Sequence, residues 1–388
     1  MNQGPDRHDV VIVGARCAGA ATAMLLAKRG LNVLVLERAR LGADTLSTHA
    51  LMRGGAVQLR RWGLLDRISA AGTPAIRRTR FHYGDDDTTT VSIKPAAGVD
   101  ALYAPRRTLL DRVLVDAAIS AGAQVKFGVD VTGLERDSTG RVVGVVGRDR
   151  RGDLLRAHGW LTVGADGARS LVARDAEATT VRTGVGSGAI VYGHWVGLDV
   201  TGYEWFYRPG GSTGLIPTND GAVCVFAGTS TCRFQRELAG DIPAGYLRLL
   251  KEVTGADARL GSTSAPRRLH AHPGRPSYVR KPWGPGWALV GDAGLYLDPL
   301  STHGITDALR DAQLLSHAVA AVLRGEEEVT AFSHYEARRD HIAGPMFSAV
   351  DQLATYRWTL PSVRRLLLEL SSAMSDEVEA LSALRADA

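Results

Sequence analysis

VVIVGARCAGAATAMLLAKRGLNVLVLE, Val10 to Glu37, changes pattern four times. Val10 to Val13 is a short apolar run, Gly14 to Gly19 a glycine-bearing turn, Ala20 to Arg29 an alanine- and leucine-rich helix, and Asn32 to Leu36 a second apolar run closed by Glu37. The pattern predicts a strand, turn, helix, strand unit with an acid at its end.

The residue types follow from what such a unit binds. Unpaired N–H groups in the first turn of a helix, together with the positive end of its dipole, attract a pyrophosphate. Gly14 permits the tight turn, and Gly19 lets helix and strand approach closely. Glu37, which follows Gly19 by 18 residues, is placed to accept hydrogen bonds from a ribose hydroxyl and disfavours a 2′-phosphate there, which argues against bound NADP. Arg16 occupies the middle glycine position of the G-x-G-x-x-G fingerprint; its side chain must turn away from the phosphates or lie over them. A helix N-terminus lowers the pKa of a cysteine such as Cys17. With no histidine or resolving cysteine beside it in sequence, Cys17 is read first as a small residue that fits the turn.

The 388 residues suffice for two or three domains. Three cysteines, Cys17, Cys224 and Cys232, show neither disulfide nor metal-ligand spacing, so no metal is expected. The net charge of 46 − 41 = +5 is spread along the chain. No basic block interleaves with aromatics, which excludes a nucleic-acid surface. Apolar runs fall short of the ~20 residues of a membrane span. Met1 to Asp9 is polar and carries no leader core, which implies a cytoplasmic protein; a monomer or homodimer is expected.

Beyond Glu37, a loop of small and hydroxylated residues contains Ser47, Thr48 and His49, and a helix begins near Met52. This loop either follows a flat ligand or is a plain connector. Residues 76–103 read as a hairpin around the acidic turn Asp85 to Asp87. A helix from Arg107 to Ala121 and a strand from Gln124 to Phe127 follow, then a small meander from Gly133 to Trp160. WLTVGADGARS runs a strand into Gly164 and Asp166; residues 181–278 are strand-like. GWALVGDAGLYLDPLSTHGITDALRDA gives a strand, Asp292, Pro299, Gly304 and a helix from Ile305. The rest reads helical except near Gly344-Pro345 and Pro361.

GARCAG with Glu37, GADGARS, and GDAGLYLDP with HGITDALRDA resemble, in that order, the three fingerprints of single-component flavoprotein monooxygenases of the para-hydroxybenzoate hydroxylase type. The resemblance spans residues 9 to 345. It implies an α/β chain with a Rossmann-like FAD-binding domain assembled from residues 1–75, 104–180 and 282–330, a β-rich substrate domain from 76–103 and 181–281, and C-terminal helices from 331 to 388. By resemblance, Gly14, Arg16, Cys17, Ala18 and Gly19 surround the FAD pyrophosphate, with Glu37 and Arg38 at the adenosine. Ser47, Thr48, Arg107, Val131, Asp166, Asp292 and Pro299 complete the cofactor site; Asp166 also faces a transient pyridine nucleotide. Gly304 and Ile305 aim N–H groups at the flavin N1 and C2 carbonyl, where a helix N-terminus stabilises the reduced flavin's charge. Thr302 and Thr306 stand where the family more often has glycine and asparagine.

The activity so implied is monooxygenation of a small aromatic or polyketide-like metabolite: NAD(P)H reduces FAD, O₂ adds to form a C4a-hydroperoxide, and hydroxylation or epoxidation follows. Three alternatives stand beside it. One is a reductase or dehydrogenase resembling geranylgeranyl reductases. Another is a flavin halogenase, although Ser212 and Gly214 replace the tryptophans of its Trp-x-Trp-x-Ile-Pro block and no lysine lies between Lys28 and Lys94. The third is a flavin-bound protein without turnover. His303, next to Gly304, is the candidate acid or base, with a loop-closing role as the other reading. His49, His82, Trp195, Trp205, Tyr207 and Pro217 are candidates for the substrate pocket; His194 reads equally as a sheet residue.

Overall fold

The computed structural model describes residues 6–384. The first residues of the polar Met1 to Asp9 stretch and the last four of the C-terminal helical segment lie outside them. Strand Asp6–Val13, helix Cys17–Ala27 and strand Val33–Glu37 form the expected unit, with Val10 opposite Val33 and Val13 opposite Leu36 in parallel register. Every residue of the helix is buried, because it lies between the sheet and two further helices, Arg107–Ser120 and Gly304–Leu323. An all-round apolar alanine/leucine sequence suits that position.

Among the described residues, an eight-stranded sheet carries this unit. Its main path is Trp283–Gly284, Trp287–Leu289, Leu154–Gly164, Asp6–Val13, Val33–Glu37 and Gln124–Phe127. The segments that read as separate strands around Trp160 are one strand, Leu154–Gly164. Its first half pairs antiparallel with Val142–Arg148, and its second half runs parallel to Asp6–Val13. One strand therefore joins the small meander to the nucleotide sheet.

A seven-stranded sheet lies in the order Leu269–His272, Gly188–Val196, Ala222–Ser230, Gly211–Pro217, Tyr203–Arg208, Arg78–Tyr83, Asp87–Ser92. The hairpin around Asp85 to Asp87 joins it through parallel pairing of Arg78–Tyr83 with Tyr203–Arg208. Both faces of its inner strands are covered. Ile190, Tyr192, Trp205, Tyr207 and Phe226 belong to the large central core, whereas Val191, Trp195, Phe206 and Val225 pack with Tyr246 and Leu250 of helix Ile242–Thr254.

Helix Glu328–Leu353 corrects the expected break near Gly344-Pro345: it continues through Pro345. Proline removes one backbone donor and crowds the preceding turn. Here Ile342, Ala343, Met346 and Phe347 are buried on both sides of it, and Ser348 Oγ donates to the Gly344 carbonyl at 3.2 Å. Packing holds the two halves in line. The chain instead breaks before helix Leu360–Ser382, where Pro361 sits in the first turn and Thr359 forms a capping box with Ser362.

Candidate functional site

A cavity of about 630 Å³ opens where the nucleotide turn, the loop at Ser47 to His49, the seven-stranded sheet and the start of helix Gly304–Leu323 meet. Its wall includes Gly14, Arg16, Cys17, Ala18, Glu37, Arg38, Ser47, Thr48, His49, Arg107, Val131, Asp166, Asp292, Pro299, His303, Gly304 and Ile305.

At one end, Gly14 has φ +101°, a conformation open to glycine, and a Cβ there would meet the Ala165 carbonyl oxygen at 2.5 Å. Gly19 is not in the wall. A Cβ on it would lie 1.8 Å from the Gly14 carbonyl oxygen, so its job is the close packing of helix on turn. Glu37 Oε2 accepts from Ala15 N and Oε1 from Ala39 N, both at 2.8 Å, which fixes the carboxylate at the end of its strand. Each oxygen keeps a second lone pair for a ligand hydroxyl.

Arg16 turns along the cavity, and its guanidinium donates to Asp111 Oδ2 and to the Asp44 carbonyl, both at 3.3 Å. Asp111 is also gripped by Arg107, one helical turn earlier. Cys17 Sγ donates to the same carboxylate at 3.1 Å. Burial pushes the Cys17 thiol far up, against the pull of Arg107. Burial and the Asp111 carboxylate thus favour the thiol form, the direction opposite to activation. Asp111 was missed in the sequence, though the Arg107-x-x-x-Asp111 spacing of an i, i+4 pair is visible in RTLLD.

Asp166 reaches the wall but is engaged by its own turn. Its Oδ1 accepts from Ser170 Oγ at 2.5 Å and its Oδ2 from Leu171 N at 2.7 Å, capping helix Leu171–Asp175. Asp292 differs. Its carbonyl accepts from Tyr278 Oη at 2.5 Å, but among the described residues no hydrogen bond reaches its carboxylate. Burial, with the nearby carboxylates Asp307 and Asp311, raises its pKa to about 7 against the pull of Arg107. A half-buried carboxylate on a cavity wall, without a protein donor among the described residues, is suited to ligand hydroxyls. Together with the glycine cradle, the Glu37 carboxylate and the first turn of helix Gly304–Leu323, it gives a donor and acceptor set that fits FAD.

His303 precedes that helix and lies in the cavity wall, with its ring engaged by the C-terminal helix. Its ring is 1% exposed, and its Nε2 lies 2.6 Å from Oε2 of Glu377. Glu377 Oε1 accepts from Arg310, which also binds Asp307 and Asp311; Asp311 in turn accepts from Gly291 N. Burial opposes charge on His303, but the Glu377 and Asp307 carboxylates outweigh it and raise its pKa. His303, Asp307 and Glu377 present three potential metal ligands within 4.8 Å, and Arg310 already supplies their counter-charge. Thr302 has φ +51°, a left-handed position where glycine is the unstrained choice.

The expected substrate-pocket residues divide. His49 lines the cavity; His82, Trp195, Trp205, Tyr207 and Pro217 do not. Trp195 lies on the far face of the sheet, where its indole N–H donates to Tyr246 Oη at 2.9 Å. His82 stacks on Phe206 at 4.2 Å and faces Glu204. Trp205 and Tyr207 lie on the near face but pack against Phe226 and Trp358. Pro217 ends a buried strand opposite Val223. The wall uses Ile190, Tyr192 and His272 instead. Residues 190 and 192 share one strand face by alternation.

A family described as FAD binding domain matches residues 7–349. The chain is 27% identical over 351 residues to a digeranylgeranylglycerophospholipid reductase of Methanocella arvoryzae, covering 85% of this chain and 82% of that one. It is 27% identical to a menaquinone reductase of Mycolicibacterium smegmatis, covering 81% and 77%. Its fold is similar to that of the flavin-dependent brominase Bmp2, with a TM-score of 0.80, 20% identity and coverage of 97% and 98%. With the match running through nucleotide turn, seven-stranded sheet and helix Gly304–Leu323 alike, the chain belongs to the FAD binding domain family and is an FAD-dependent oxidoreductase.

Proposed function

We propose that this protein is a flavin-dependent reductase, with hydride supplied by NADH or NADPH and delivered to an unsaturated organic substrate. The observation that carries this reading is the near end-to-end correspondence with reductases, 85% of this chain against 82% of the Methanocella relative.

FAD, when bound, supplies the two-electron chemistry; the protein supplies binding, orientation and electrostatics. Gly14, Arg16, Cys17 and Ala18 would hold the pyrophosphate, and Glu37 and Arg38 the adenosine. Arg107 and Asp292 would hold the ribityl chain. Gly304 and Ile305 would offer N–H groups to the pyrimidine end of the ring, where positive helix-end charge favours an anion without a charged side chain. Ser47 N donates to Tyr192 Oη at 3.0 Å, which fastens the loop over the site to the substrate sheet.

Monooxygenation is the second reading. His49, Tyr192 and His272 make the sheet side of the cavity polar and aromatic, which suits a small oxygenated ring better than a bare polyprenyl chain. One experiment separates the two. The holoprotein is reduced under argon with NADH or NADPH and then mixed with a prenylated naphthoquinone or with oxygen. Reoxidation by the quinone, with two hydrogens added to it by mass spectrometry, supports reduction. Reoxidation by oxygen alone, with an oxygen atom in the product, replaces it with oxygenation.

A further inference from the structure

We propose that His49 and His194 form a binding site for a ring carbonyl oxygen, so that the substrates of this protein are quinones or cyclic enones; this rests on the reductase reading. His49 lines the cavity, is 1% exposed and sits at φ +68°. Histidine enters that left-handed region more readily than most residues, yet a buried one held there is a feature the surroundings enforce. Ser47 Oγ accepts from His49 N at 3.0 Å, and the neighbouring Ser47 N is tied to Tyr192, so the loop is clamped with the imidazole in place.

The two Nε2 atoms lie 2.9 Å apart, with the rings stacked at 5.1 Å. A hydrogen bond between two nitrogens needs one proton, so one ring is the Nε2–H tautomer and the other carries its proton on Nδ1. Burial, their mutual proximity and Arg106 push the His49 pKa well down, and burial with Arg106 and His270 takes that of His194 to about 4, with Asp44 opposing. The pair is therefore neutral near neutral pH. His49 Nδ1 is buried and has no protein partner among the described residues, a costly state unless a ligand completes it.

Such a pair serves both states of one oxygen. With the shared proton on His194 Nε2, His49 Nδ1–H donates to a carbonyl. With it on His49 Nε2, Nδ1 accepts from a hydroxyl. In conjugate reduction, the hydride and its electron pair, derived from a dihydronicotinamide through FAD, form a C–H bond at the β carbon, and the π electrons move onto the carbonyl oxygen. That oxygen takes the His49 Nδ1 proton, the His194 Nε2 proton shifts to His49, and a solvent proton at Nδ1 of half-buried His194 restores neutrality. Tyr192 stacks on His270 at 5.0 Å and meets His194 edge-on at 5.9 Å. These flat surfaces suit a planar ring.

The test is binding to the oxidised holoprotein without reductant. Menadione and methylnaphthalene share an outline, but only the first has ring oxygens. Both are titrated by flavin absorbance perturbation, with imidazole ¹⁵N resonances recorded in parallel. Menadione is expected to bind about tenfold or more tighter, since a site with unpaired polar groups rejects a ligand that leaves them unpaired, and to move the His49 Nδ1 resonance. His49→Asn, which tolerates the left-handed backbone, and His194→Gln are expected to cut the preference to about threefold or less while FAD stays bound. Equal affinities in the wild type, no binding of menadione, or a preference that survives both substitutions overturns the site. Menadione preference without any reduction of unsaturated acceptors under argon leaves the site standing and removes the reductase reading; reduction without the preference does the reverse.

Discussion

His303 Nε2 and Glu377 Oε2 are 2.6 Å apart although 74 residues separate them, and neither side chain is exposed to solvent. The contact ties the residue before helix Gly304–Leu323 to the C-terminal helix Leu360–Ser382, through a carboxylate that also binds Arg310. The position of the first turn of Gly304–Leu323 thus depends on a helix that does not line the cavity.

Glu377→Ala is expected to destabilise the protein by roughly 1–3 kcal/mol, because it leaves buried His303 Nε2 and one Arg310 N–H without this acceptor while Asp307 and Asp311 still face Arg310. Urea unfolding measures this. His303→Ala combined with Glu377→Ala is expected to cost less than the sum of the single changes, whereas additive costs would show that the two side chains do not act together.

The histidines titrate in opposite directions. His194 has its pKa lowered from 6.5 to about 4, so its contribution to stability is complete above pH 6.5 and is lost as pH falls toward 4. His303 has its pKa raised above 6.5, so its contribution is complete below pH 6.5 and is lost as pH rises through the folded-state value. Histidine NMR titration of wild type beside His194→Gln and His303→Gln assigns each arm. A neutral His303 at pH 6.5 would contradict the ion pair.

Glu37→Ala and Asp292→Ala are each expected to weaken FAD binding by about tenfold or more, since each removes a carboxylate placed to accept ligand hydroxyls. Flavin content after gel filtration and titration of the apoprotein report the loss. Stoichiometric FAD in both variants would disprove the placement of the cofactor.

Arg16→Gly restores the usual fingerprint residue and separates two roles. Arg107 still holds Asp111 on three hydrogen bonds, and Arg16 is partly exposed, so apoprotein stability is expected to change by less than about 1 kcal/mol. FAD affinity is expected to fall and to become less sensitive to salt, as removal of a phosphate-facing charge requires. Unchanged affinity would make Arg16 only a partner of Asp111.

The nucleotide unit was legible because Val10 to Glu37 carries its own periodicity, glycines and terminal acid, all local. The parity of the substrate sheet was not. Both faces of Gly188–Val196 are buried, so no polar alternation tells that Ile190 and Tyr192 face the cavity while Trp195 faces Tyr246. Glu377 is equally silent in sequence: a glutamate on an amphipathic helix reads as surface, and only the tertiary fold brings it to His303 and Arg310. Pro345 misled for the converse reason, since local breaking chemistry lost to packing on both sides of it.

The Leu154–Gly164 strand, with one half in the meander and the other between Asp6–Val13 and Trp287–Leu289, gives assembly a direction in time. During synthesis the nucleotide turn and its acid emerge before the whole seven-stranded sheet, whereas the strand at 287, the turn at Asp292, the helix at Gly304 and their anchor at Glu377 emerge after it. The cavity wall then waits for segments on both sides of that sheet, and a chain interrupted before Glu377 leaves His303 and Arg310 without that carboxylate and its apolar interior open to chaperones and proteases.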